Sequence, residues 1–338
     1  MSDRPDHGDA VAEYRAARAG RGLAPAVSEV VWATGPDAVT FLDGQLSQDV
    51  VAMEPGTVAR SFLLEPRGKL ISIMWVLRGE ERIGLVVDAG QAETVARRLE
   101  EFRFRVDVEF EADEREVHEL WGRGAAAFAA EAGLDPGPGW VEEDGRLVAL
   151  LRGRVLDRVL VAGDPEPLRR AGARPVGRLA LSPVRIEAGE PEMGVDVDES
   201  TIPQESGLVP EAVSFTKGCF VGQELVARID SRGRVTKRLA GLVLRTNVIP
   251  PVGSTVVADG EEVGELSRVG ESLALRAPVA FAVVRHTVED GDAVEIRWDG
   301  GSAPAVLREL PLDDFSDPPN GSLTDGGERD GDEASGGA

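Results

Sequence analysis

A chain of 338 residues with 42% hydrophobic content is long enough for two or three domains with a sizeable core, which excludes a disordered polymer. Its formal net charge of −23 excludes broad attraction to nucleic acid or anionic membrane, because phosphate-rich surfaces repel it, and leaves only a local basic site open. A single cysteine, Cys219, makes no internal disulfide and points to a reducing cytoplasm. The opening MSDRPDHGDA lacks the basic and apolar segments of a secretory signal. No stretch approaches the roughly 20 apolar residues of a membrane span.

In chain order, residues 1–20 read as a polar tail followed by a helix over DAVAEYRAARAG, with Val11, Tyr14 and Ala17 on one face. SEVVWATG reads as a strand, and PDAVTFLDGQ as a short helix with Pro36 in its first turn. TVARSFLLEP, GKLISIMWVLR and ERIGLVVDA are apolar runs between turn residues, hence neighbouring strands. GQAETVARRLEEF has helical apolar spacing, and RVDVEFE alternates Val106, Val108 and Phe110 as a half-buried strand. Residues 21–112 therefore form one α+β subdomain.

A second mixed subdomain spans 113–236. Its strands fall at 116–121, 146–151 and 155–162, its helices near 123–132 and 165–172, and DPGPG is a loop. ALSPVRIEAG reads as a helix that Ser182 caps, Pro183 opens and Gly189 closes. Over 237–312, short strands alternate with Gly- and Asp-rich turns, which predicts a small β-barrel or sandwich. Residues 313–338 carry eight acidic residues against Arg329 alone and read as a disordered acidic tail.

TKGCFVGQELVAR, residues 216–228, holds the cysteine between two glycines ahead of a helix-like run. A thiol near a helix start, with Lys217 and Arg228 close in sequence, has two influences that favour thiolate. A small residue packed in the core is the competing reading, and both stand. His7, His118 and His286 are far apart, so no metal-ligand spacing accompanies the thiol. Arg228, Arg232, Arg234, Lys237 and Arg238 form a basic run suited to a carboxylate or phosphate, or to pairing with nearby acids.

KGCFVGQE followed by VAR resembles the motif of the YgfZ family, folate-binding iron–sulfur cluster assembly and repair factors related to the glycine cleavage T-protein, an aminomethyltransferase. FLDGQLSQDV, EPRGKL and RIEAGEPEMGVDVDESTIPQESGL resemble further family segments, and the resemblance covers about residues 28–310. It implies an α+β, T-protein-like arrangement of three subdomains around a central folate cavity, with a C-terminal small β-barrel. It also implies tetrahydrofolate or a derivative as cofactor, iron–sulfur client enzymes or assembly factors as partners, and neither stable nucleic acid nor membrane. Carried over, Glu187 faces the pterin, Lys217, Gln223, Glu224 and Arg228 line or brace the cavity, and Cys219 presents its thiol near the cofactor. Lys69 comes from the Gly-Lys turn. The alternative is a folate-dependent aminomethyltransferase. In the T-protein the strand after the paired-glycine turn carries acids, whereas Ser72 and Ile73 stand in the corresponding run here, and neither is an efficient proton acceptor.

Overall fold

The computed structural model describes residues 6–232, 235–313 and 315. Helix α1 (Ala10–Arg18) leads into β1 (Ala19–Pro25) and β2 (Ser28–Thr34), followed by α2 (Ala38–Gln45), β3 (Val58–Leu64), β4 (Leu70–Arg78), β5 (Arg82–Asp88), α3 (Ala92–Phe102) and β6 (Glu109–Ala112). Strands β2 to β6 form a five-stranded sheet in the order β3-β4-β5-β2-β6. One face of it packs on α2 and α3 through Phe41, Leu42, Val95 and Leu99. The spacing of Val95 and Leu99 puts both on one side of α3, as the sequence predicts.

The chain continues through β7 (Val117–Gly122), α4 (Ala125–Glu131), β8 (Trp140–Glu143), β9 (Arg146–Arg152), β10 (Asp157–Ala162), α5 (Glu166–Arg170), β11 (Arg174–Pro175) and α6 (Arg178–Ala188). These strands build a six-stranded sheet in the order β11-β1-β7-β10-β9-β8. β1 therefore belongs to the second sheet although it precedes the first in sequence, pairing with β7 and β11. Its sequence, AGRGLAP, has no β-branched residue and no alternation, so nothing in it signals a strand. α6 also differs from expectation. It begins after Gly177 and runs through Pro183, and neither Ser182 nor Pro183 marks its start. Gly189 ends it in the left-handed conformation, as expected.

After a 3-10 turn (Pro203–Ser206), α7 (Val209–Ala212) and α8 (Gln223–Arg232), six strands follow: β12 (Lys237–Leu244), β13 (Thr255–Ala258), β14 (Glu261–Ser272), β15 (Ala277–Arg285), β16 (Ala293–Trp298) and β17 (Gly301–Arg308). They close into a barrel in the order β12-β15-β14-β13-β16-β17, filled by Leu242, Val256, Leu266, Ala282, Ile296 and Leu307 among others. Closure leaves no free strand edge. The predicted small β-barrel is present.

The two sheets face each other. Val30, Trp32, Trp75, Leu77 and Val86 from the first meet Val117, Leu147, Leu151 and Leu160 from the second. The barrel docks on α6, where Ile186 meets Leu239, Val279 and Phe281.

At the edge of the first sheet, Asp113 accepts Trp32 Nε1–H at 2.8 Å and pairs with Arg115. Burial opposes ionisation there, but the Arg115 and Trp32 hydrogen bonds prevail and lower the carboxyl from 3.8 to about 2. A depressed acid stabilises the fold above its unfolded value, and that contribution disappears as pH falls from 3.8 towards about 2. Asp113→Asn should therefore flatten the acid limb of a melting-temperature profile between pH 5 and pH 2 (on the order of the two values above). An unchanged limb would mean the clasp contributes nothing.

Candidate functional site

Charged residues on otherwise apolar strands converge where the two sheets, α6 and the barrel meet. Arg60 lies on β3, Trp75 on β4, Asp88 at the end of β5, Glu119 and Trp121 on β7, Arg158 on β10 and Arg185 on α6. The guanidinium of Arg60 stacks 4.4 Å from the Trp75 ring centre. Arg158 lies 5.7 Å from Trp75 and 4.8 Å from Trp121, and Arg185 lies 4.9 Å from Trp121. Arginine and indole thus alternate in one column, each cation over a ring face.

Carboxylates flank the column. Glu190 bonds Arg60 and lies 3.6 Å from Arg158. Glu119 lies 3.2 Å from Arg158 and accepts the Ser28 hydroxyl. Glu192 pairs with Arg268 of β14 at 2.7 Å, and Asp196 pairs with the same guanidinium at 2.9 Å. Buried charges are tolerable only when paired in this way. Between these groups lies a hollow of about 20 Å³, lined by Arg60, Ile73, Trp75, Asp88, Glu119, Arg158 and Glu190 among others. That volume admits a single water. The resemblance implies a folate-sized cavity, but guanidinium groups and indoles fill this part of the centre.

The carboxyls differ in character. Burial pushes Asp88 up to about 6 against the pull of Arg185, and Glu192 adds to the rise. Glu190 and Glu192 are buried too, but their arginines outweigh burial and hold both below the usual glutamate range.

The cysteine motif forms a second element docked beside the first sheet. Lys217 Nζ donates to the carbonyls of Asp43, Leu46 and Gln48 at 2.5, 3.0 and 2.7 Å, with Asp43 Oδ1 3.1 Å away. Its side chain is 1% exposed, and burial pulls its ammonium below the usual lysine range, opposed by Asp43. Val221 N–H donates to Gly44 C=O. Gly222 and Gly68 both have left-handed φ, +80° and +78°, and touch each other. A Cβ on Gly222 would lie 2.7 Å from Glu65 O, and one on Gly68 would lie 2.6 Å from Leu225 Cβ. Two glycines at this crossing are a steric requirement. Gln223 Oε1 accepts Phe220 N–H at 3.1 Å.

Cys219 is left exposed by this docking, which removes the inert core reading. α8 starts only at Gln223, and the Lys217 ammonium is occupied by carbonyls. Glu224 and Arg228 lie exposed on α8, and Lys69 is exposed at the β3–β4 turn. Of the basic run, Arg238 donates to Val288 C=O at 2.9 Å. Arg234 and the Arg232 side chain, like residues 316–338 of the acidic tail, lie outside the described residues.

Glu187 is fully buried, but away from the hollow's lining. Its carboxylate accepts the Tyr14 hydroxyl at 2.6 Å and pairs with Arg18, and Arg18 also pairs with Asp313 at 2.9 Å and stacks on Phe315. It ties α1, α6 and the segment after the barrel together. Ser72 is buried with its hydroxyl on Ile73 C=O, and Ile73 lines the hollow. His118 is buried in β7, where burial lowers its pKa. No metal-holding cluster of His, Cys, Asp or Glu occurs among the described residues.

The sequence reading missed Arg60, Asp88, Glu119, Arg158, Arg185 and Glu190. The available signal was a charged residue inside an apolar strand, as in VARSFLL, VHELWG and DRVLVA, since burying a charge needs a reason.

Residues 237–314 match the family model of the glycine cleavage T-protein C-terminal barrel domain. Over 308 residues the chain is 29% identical to an aminomethyltransferase of Thermus thermophilus, covering 82% of each. It is 28% identical over 311 residues to one of Streptomyces coelicolor, again covering 82% of each. The crystal structure of glycine cleavage system aminomethyltransferase T from Bartonella henselae superposes with a TM-score of 0.81 at 24% identity, covering 90% of each chain. The fold is T-protein-like, a mixed α/β body with a closed C-terminal barrel. No helix among the described residues is long and apolar enough to cross a membrane.

Proposed function

We propose that the protein binds a reduced folate at the junction of its two sheets and barrel, and handles a one-carbon unit there in the manner of an aminomethyltransferase. The observation that carries this reading is the similarity to proteins named aminomethyltransferase along 82% of the chain. The chemistry of the centre agrees with it. A pterin offers adjacent donors and acceptors, which carboxylates and guanidinium groups match in pairs. Arg60 Nε and Arg158 Nε, both buried, have no hydrogen-bond partner, and Asp88 and Glu190 supply acceptors. The hollow as it stands takes only a water, so a pterin enters with displacement of side chains, Arg60 and Arg158 being the groups that fill the space. When bound, tetrahydrofolate supplies the amine that receives the one-carbon unit. Calorimetry with tetrahydrofolate tests the reading, and no heat at high micromolar folate would remove it. A glycine cleavage assay with a lipoyl carrier tests the transfer itself, with turnover as the expected result.

A second reading, assembly or repair of iron–sulfur enzymes, is favoured by one observation. Lys217 and Val221 dock the KGCFVGQ loop on the end of the second helix and Gln223 braces the loop's own backbone, yet Cys219 stays exposed. An exposed thiol is free to exchange into a client's disulfide, releasing one of its thiols, or to ligate cluster iron as thiolate. A strain lacking the protein should recover cluster-enzyme activity with the wild type and stay deficient with Cys219→Ser or Cys219→Ala. Because the side chain is exposed, neither change disturbs the core, so equal rescue would end the second reading.

A further inference from the structure

A second concave site lies on the outer wall of the barrel, and it shares no lining residue with the hollow between the sheets. We propose that this cleft binds a small amphiphilic acid, an aliphatic monocarboxylate of medium chain length, with Arg245 holding the carboxylate and the barrel wall holding the chain. The proposal is independent of the folate reading.

The cleft arises from the way the chain leaves the barrel. Leu310 and Leu312, just past β17, join Val243 and Leu275 in packing against the apolar contact between barrel and α6. Gly241 makes that return path possible, since a Cβ there would lie 2.5 Å from Leu312 Cδ2. Two residues further along β12, on the same outward face, Val243 stands directly opposite Val306 of β17. Both valines are half-buried. Their neighbours Leu242, Leu244 and Leu307 point the other way and fill the barrel, so the valines are left to whatever covers the outer wall. A cavity of about 380 Å³ remains between this pair, Leu275, Pro311 and Leu312. That is the size of a small-molecule site, and its walls are aliphatic throughout.

The charged groups sit at the two ends. Arg308 is opposite Gly241, while Arg245, four residues further along β12, donates its N–H to Pro304 C=O at 2.8 Å. Strand rise sets the two ends about 13 Å apart. At the first end Arg308 Nε has Asp290 Oδ1 at 3.4 Å, and Glu309 lines the cleft next to it. That end is compensated, and its acid repels a second anionic group, which makes the ligand a monoacid. At the other end Arg245 is exposed, and its guanidinium makes no hydrogen bond or ion pair among the described residues. In a chain of net charge −23, a cation left without a counter-ion at the mouth of an aliphatic trough is complementary to an anion that carries an apolar body. A guanidinium receives a carboxylate through two parallel N–H···O bonds. No aromatic side chain lines the cleft to stack on a flat ring, so the shape favours an extended hydrocarbon chain.

The experiment is calorimetric titration of the full chain with nonanoate, with acetate (the head without the chain) and with nonanol (the chain without the charge). Nonanoate should bind with a Kd below about 1 mM, and acetate and nonanol should each bind at least about tenfold more weakly. Arg245→Gln alters an exposed side chain and should weaken nonanoate about tenfold or more while leaving nonanol unchanged. Val306→Asp puts a charge on the floor of the cleft and should abolish binding. No heat with low-millimolar nonanoate overturns the proposal, and so does nonanol binding as tightly as nonanoate; neither outcome needs a variant to fold. Undiminished binding of nonanoate by Arg245→Gln or by Val306→Asp overturns it equally.

Discussion

Arg185→Met should lower the folding free energy by about 3–5 kcal/mol, because removing one partner of a buried ion pair strands the other. The side chain is 1% exposed and carries the charge that offsets Asp88 and Glu192 while covering the Trp121 ring. Methionine keeps most of the volume, so the loss reads out charge more than packing. Glu192 retains Arg268, which leaves Asp88 as the more exposed casualty. Adding Asp88→Asn to Arg185→Met should then recover part of the loss, a coupling expected for groups in one network. Urea unfolding of the two single variants and the double variant measures it. A loss below about 1 kcal/mol for Arg185→Met would show that the fold does not depend on this charge.

Lys217→Met should cost at least about 3 kcal/mol locally, since three carbonyl oxygens lose a charged donor and each such bond is worth about 1.5–3 kcal/mol. The ammonium joins the end of α2 to the cysteine loop through Asp43, Leu46 and Gln48. Without it, amide exchange over residues 43–48 and 217–222 should quicken by on the order of a hundredfold, while the barrel's exchange stays as before. Lys217→Arg should not rescue, because a planar fork does not meet three carbonyls converging on one atom. Unchanged exchange in both loops would show that Val221 and Gly222 alone hold the motif.

The motif was the most legible part of the molecule. KGCFVGQE singles out Cys219, and its two outer demands, a buried lysine and a glycine in left-handed backbone, are local to the loop and its immediate seat. The barrel was equally plain, because its short apolar strands are separated mostly by turns that carry Gly or Asp. The centre was not legible, for a physical reason. Arg60, Asp88, Arg158 and Arg185 come from four segments, and no short pattern tells a strand that it will face three others across an interior. The resemblance implies Glu187 at the centre, whereas that residue belongs to the same helix as Arg185 but points to α1, where Tyr14 and Arg18 hold it. β1 carries no local signal, because its pairing with β7 and β11, and not its residue types, makes it a strand.

The alternating column of guanidinium groups and indoles equips the molecule with a built-in optical gauge. Trp75 and Trp121 are 7% and 0% exposed, so their emission arises from a buried, charged environment at the centre. Anything that pries Arg60 or Arg158 off those rings, a heterocycle sliding in or the sheets parting, should shift the colour and brightness of the intrinsic fluorescence. The occupant of the centre can therefore be followed in real time without attaching a dye.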